Sequence, residues 1–160
     1  MIDGPYFILT LLTALGCGLM AGVFFAFSTS VMRALGALPA AQGIAAMQKI
    51  NVVIVNARFL AVFVGTTVLS VVVAVVTLVE SPDPGRIELW LGCLLYLVGS
   101  FGVTGAANIP RNKALDELDP EAPASAEHWA RFLREWTVWN HVRGGAALAA
   151  CVCLVLGLAA

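Results

Sequence analysis

No charged residue lies between Asp3 and Arg33. A helix needs about 20 apolar residues to cross the hydrocarbon core of a bilayer. The stretch from Tyr6 to Met32 is long enough to do so with tilt to spare. It does not read as a signal peptide, because Met1-Ile2-Asp3-Gly4 carries no base and the apolar run is too long. Three further runs of this kind follow, so the spans are expected at about residues 6–32, 59–79, 89–107 and 140–160. The second is rich in valine, which in water favours a strand. In lipid a lone strand leaves its backbone groups unpaired, so a helix is expected there too.

Composition agrees with lipid as the solvent. The chain is 60% hydrophobic and 12% charged, and its mean hydropathy is +0.91. A soluble domain is nearer half apolar and a quarter charged. The 160 residues make one domain. The expected fold is an all-α, integral membrane, up-down bundle of four transmembrane helices. A short amphipathic helix is expected between spans one and two, where Ile44, Met47 and Ile50 recur at helical spacing behind Pro39. A long C-terminal helix should start near Ser125, with Ser125 as its N-cap and Glu127 in its first turn, and extend into the cytoplasm. Cys17, Cys93, Cys151 and Cys153 all lie in apolar runs and read as small membrane residues.

Sorting the basic residues by loop gives the topology. Arg33, Lys49 and Arg58 lie between spans one and two. Arg111, Lys113, Arg131, Arg134 and Arg143 lie between spans three and four, and Arg86 alone falls on the other side. The positive-inside rule then predicts a multi-pass protein of the cell (inner) membrane, with both basic loops cytoplasmic and both termini outside. Gly18 and Gly22, with Gly99, Gly102 and Gly105, would let helices approach closely and permit a homo-oligomer.

The polar residues of the spans collect at the basic ends, while the other ends carry little beyond Asp3, Glu80, Asp83, Arg86 and Glu88. Trp129, Phe132, Trp136, then Trp139 or Asn140, and Arg143 recur at steps of three and four, so they share a helix face. Rings and a guanidinium on one face can hold a flat, apolar, partly anionic ligand. The bland alternative is an interfacial aromatic belt with a snorkelling arginine. His141 is the only histidine near a span, set well over a quarter turn from Asn140 and Arg143, facing another helix or the rim of a pocket. Histidine is the side chain that ordinarily titrates near neutrality. Asn108 and Asn112 end span three; their amides either cap the helix and turn the chain, or point into the same pocket as Gln48 and Asn51.

Other chemistries find no support. There is no metal-binding spacing, Gly-rich nucleotide motif or Walker motif. Carboxylates are absent from the spans, which argues against a proton-driven pump. The net charge of −1 points to no nucleic acid. The expected partners are the lipid bilayer and a lipophilic aromatic small molecule.

Four stretches carry a resemblance: Leu12 to Phe25, Ala46 to Asn51 with Asn56 following, Asn108 to Asn112, and Trp136 to Arg143. In this order they resemble the DUF1772 family of four-helix membrane proteins, whose named members are anthrone oxygenases of aromatic polyketide pathways. Where that pattern has a proline soon after the Asn56 position, this chain has Ala57-Arg58, an extra cation at the mouth of the implied site. The resemblance implies oxidation of an anthrone to an anthraquinone, with molecular oxygen as co-substrate and no established metal or flavin. Phe24, Phe25, Phe27, Trp136 and Trp139 would suit a flat substrate. Arg143, Asn140 and either Asn108 or Asn112 would donate to the enolate oxygen, and His141 would be the base. The competing expectation is a non-catalytic membrane protein that binds or moves a lipophilic compound or stabilises a partner complex.

Overall fold

The computed structural model describes residues 4–160; Asp3, part of the charge pattern above, lies outside the described residues. The chain is built from five helices among these residues. Helix α1 covers Gly4–Gly36, α2 Ala40–Ile54, α3 Ala57–Glu80, α4 Arg86–Asp116 and α5 Ser125–Ala159. Helices α1, α3, α4 and α5 are each long and apolar enough to cross a membrane. The four pack in a ring: α1 lies between α3 and α5, and α4 closes the other side between the same two. This is the up-down arrangement that a short α3–α4 turn imposes. Asn56 caps α3 by accepting from the backbone N–H of Arg58 and Phe59, each at 3.1 Å. Ser81, in the left-handed conformation, closes it.

Five hydroxyls inside the bundle are satisfied locally, while those of Thr10 and Ser100 find no partner. Thr13, Thr67, Ser70, Thr77 and Thr104 each donate to the carbonyl four residues back. That bond lets a polar residue sit in a membrane helix without needing water. Small residues set the spacing of α4 and α5. A Cβ on Gly99 would come within 2.6 Å of the Ala146 Cβ, and one on Gly92 within 2.8 Å of Leu154. Gly18 faces Cys151 closely, whereas Gly22 and Gly105 face open space, so these last two do not mark helix contacts.

Two apolar clusters form. One fills the ring, around Cys17, Met20, Phe24, Val73, Cys93, Tyr96 and Leu154. The other lies at the basic end, where Ile44 and Met47 of α2 pack on Leu35, Leu115, Trp129, Phe132 and Trp136. The amphipathic α2 thus covers the bundle end and buries its apolar stripe there.

Two local expectations are corrected. Helix α4 does not end at Asn108. It continues through Pro110 to Asp116, because Pro110 falls in the first turn of an α-helical segment that follows a π-helical one, a position that tolerates proline. Ser125 is not a side-chain N-cap. It is the first residue of α5, and its hydroxyl donates to the Asp119 carbonyl at 2.6 Å, pinning the preceding loop instead.

Candidate functional site

Helix α5 buries one continuous stripe: Trp129, Phe132, Trp136, Asn140, Arg143, Ala147, Ala150, Leu154 and Gly157. The steps of three and four are those of one helix face. The aromatic end packs in the basic-end cluster and the apolar end in the ring, so Asn140 and Arg143 sit at the junction, inside the bundle.

Arg143 is 8% exposed. Its Nε donates to Asn140 Oδ1 at 2.9 Å and its Nη1 to Thr104 Oγ1 at 3.2 Å. The guanidinium lies over the rings of Phe24, at 4.1 Å, and Trp136, at 5.1 Å. No carboxylate pairs with it among the described residues. Removing a guanidinium from water costs several kcal/mol. Here two hydrogen bonds and two ring faces offset part of that cost.

Asn140 is fully buried and makes three bonds. An N–H facing it from Arg143 requires that its Oδ1 point that way, so the amide nitrogen faces α1. There it donates to the Phe24 carbonyl and to Ser28 Oγ, both at 2.6 Å. The carbonyl and hydroxyl it meets lie where α1 changes to a π-helical turn, Phe27–Val31. Helix α4 is also π-helical where it faces this junction, at Leu95–Gly102 and Thr104–Asn108. Such turns recur at functional sites.

Trp136 is held from α4. Its indole Nε1 donates to Asn112 Oδ1 at 2.7 Å, and its backbone carbonyl accepts from Asn108 Nδ2 at 3.3 Å. The two asparagines thus fix the ring beneath Arg143 from α4, and neither is in the lining of the groove between α1 and α5. Asn108 Oδ1 stays without a partner although buried. Gln48 donates to the carbonyls of Leu115 and Leu118, and Asn51 to Asp116, so both amides tie α2 to the end of α4, away from Arg143.

A groove of about 450 Å³ opens between α1 and α5 at this level. Gly18, Ala21, Gly22, Gly144 and Gly145 are its small lining residues, of which Gly22 and Gly145 face open space; Phe24, Phe25, Ser28, Asn140, His141 and Leu148 complete it. Its size lies in the range of small-molecule pockets. His141 is exposed and sits on this groove, on the rim rather than on the Arg143 side of the helix. Among the described residues no hydrogen bond occupies its ring.

The candidate residues thus divide. Phe24, Phe25, Asn140 and His141 line one groove. Arg143, Trp136, Asn108 and Asn112 form a layer behind it. Trp139 belongs to neither: it is 38% exposed and stacks with Arg111 of α4, on another flank of α5. Arg143 stands outside the groove lining, over the Phe24 ring; Asn140 Nδ2 and Asn108 Nδ2 donate to protein acceptors, whereas Asn112 meets Trp136 through its oxygen. Arg58 is exposed at the start of α3 and is not part of the groove lining. Ser28, which the sequence offers only as one of the polar residues at the basic ends of the spans, also lines the groove. The signal was present, since Ser28 stands one helical turn beyond Phe24. Its burial and its bond to Asn140 appear only in the fold. No group of three or more His, Cys, Asp or Glu among the described residues is placed to hold a metal ion.

These features define a four-helix membrane protein with a lateral groove backed by a buried cation. The family model for anthrone oxygenase matches residues 54–153, and the chain belongs to that family. The match takes in Asn108, Asn112 and the Trp136–Arg143 segment; α1 and its share of the groove lie before it. No curated protein and no solved structure matches the chain.

Proposed function

We propose that this protein is a membrane-embedded oxygenase that takes a flat, lipophilic, anthrone-like polyketide from the bilayer and oxidises it with molecular oxygen. The observation that carries the reading is the groove, where the exposed His141 ring, two phenylalanines and small lining residues meet at the surface of a bundle of this family. The basic loops are taken as cytoplasmic and both termini as outside. Substrate then enters sideways from the inner leaflet.

His141 takes a proton from the methylene carbon of the anthrone, and the electron pair moves onto the carbonyl oxygen, giving an aromatic enolate. The enolate is oxidised by oxygen, and a carbon–oxygen bond forms at the deprotonated carbon. The resulting hydroperoxide takes back one proton. Loss of the second proton from that carbon breaks the O–O bond and leaves the quinone carbonyl and one water. The balance is anthrone plus oxygen to anthraquinone plus water, with no resident cofactor called for. Phe24 and Phe25 supply apolar faces for the rings.

His141→Ala tests the base. The side chain is exposed, so the variant should fold and melt like the wild type. Anthraquinone formation should fall by roughly 10²–10⁴-fold, the usual worth of a general base. Full turnover in the variant would remove the assignment. A wild type that binds an anthrone without consuming oxygen would favour a carrier of lipophiles.

A further inference from the structure

An enolate needs a hydrogen-bond donor aimed at its oxygen, and the obvious candidates are otherwise engaged. Arg143 stands outside the groove lining, over the Phe24 ring and 4.1 Å from its centre. The Asn140 amide nitrogen already gives its hydrogens to the Phe24 carbonyl and to Ser28 Oγ. Ser28 differs. Its oxygen accepts from Asn140, so its own proton must point elsewhere, and among the described residues no acceptor takes it. A helical serine ordinarily donates to the carbonyl four residues back. Here that carbonyl is Phe24's, which Asn140 holds, and the neighbouring Thr29 does make such a bond, to Phe25. Ser28 is 5% exposed and lines the groove.

The chain of bonds has a direction. Arg143 Nε donates to Asn140 Oδ1 at 2.9 Å, and Asn140 Nδ2 donates to Ser28 Oγ at 2.6 Å. Each donation polarises the next group, so positive charge at one end strengthens the donor at the other. Thr104 and the two rings hold the guanidinium in place, and no carboxylate among the described residues cancels its charge.

We propose that Ser28 is the oxyanion donor of the groove, and that Arg143 acts on it at a distance through Asn140, as a positioning and polarising residue rather than one that touches the substrate. This rests on the anthrone-oxygenase reading for its substrate, an aromatic enolate. The ligand class it predicts is wider: any flat aromatic whose oxygen is anionic, a phenolate included. The relay also accounts for a buried cation whose guanidinium the groove does not reach.

The test separates the donor from the chemistry. 2-Naphthol, which oxygen does not consume on this time scale and whose two ionisation states differ in fluorescence, is titrated in the groove of the purified full-length protein. In the wild type the bound probe should ionise at a lower pH than in Ser28→Ala, by about one pH unit or more. Ser28→Thr, which keeps the hydroxyl, should behave as the wild type, and Arg143→Met should behave as Ser28→Ala. Anthrone turnover should fall about 10²–10³-fold in Ser28→Ala, the usual effect of removing an oxyanion donor. Equal ionisation in wild type and Ser28→Ala overturns the proposal, as does failure of the probe to bind the wild type. A shifted titration without anthrone turnover keeps the donor and sinks the oxygenase reading; turnover with no shift does the reverse. If Arg143→Met does not fold, Asn140→Asp interrupts the relay at its centre. A probe that titrates there as in the wild type would overturn the role given to Arg143.

Discussion

Arg143 and Asn140 set the character of the site because each is useless without the other. Asn140 gives the guanidinium a neutral acceptor, and Arg143 fixes the amide so that its nitrogen faces α1. Asn140→Ala should therefore cost about 1–3 kcal/mol of stability, since it strands a buried donor on a charged group. Thermal melting in detergent would measure it; an unchanged melting temperature would mean that the bond is not made. Much of this was legible at the residue scale. The spacing of Trp136, Asn140 and Arg143 placed them on one face, and His141 fell off that face as its position required. Partner choice was not legible. Asn108 and Asn112 meet Trp136, and Gln48 meets the end of α4, because folding brought those partners nearest; residue type cannot say which partner an amide will find.

At the scale of helices, glycine has two opposite uses. Gly99 lets α4 and α5 touch, whereas Gly22 and Gly145 keep the α1–α5 seam open, with nothing within 4 Å of where a Cβ would stand. Gly99→Leu should lose about 1–3 kcal/mol through overpacking against Ala146. Gly22→Leu should lose none and fill the groove. Equal losses in the two variants, read by thermal melting, would contradict this packing. The sequence pattern treated Gly22 and Gly99 alike as contact positions, since periodicity does not show whether the facing helix is near or the surface is bare. The continuation of α4 past Pro110 escaped for a related reason: proline is a helix breaker except in a first turn, and the π-helical stretch before it comes from packing.

For the molecule as a whole, apolar runs of spanning length left little freedom, and the four-helix ring follows from them and from the short α3–α4 turn. The charge pattern adds an orientation. A reporter enzyme active only outside the cytoplasm should be active when fused after Ala160 and inactive in the loop at 119–123. The reverse pattern would turn the molecule over and put the groove in the outer leaflet. The groove itself could not be read from the chain, because α1 and α5 are its walls and lie at opposite ends of the sequence.

The most direct test of the account is oxygen uptake by purified protein given a simple anthrone, with the non-enzymatic rate subtracted, in wild type and in Gly145→Leu. Leucine is the better helix former and meets open space at that position, so the variant should melt no lower than the wild type. The account predicts clear uptake by the wild type and a rate near background once leucine fills the groove. Equal rates in both proteins, or none above background in the wild type, would contradict it.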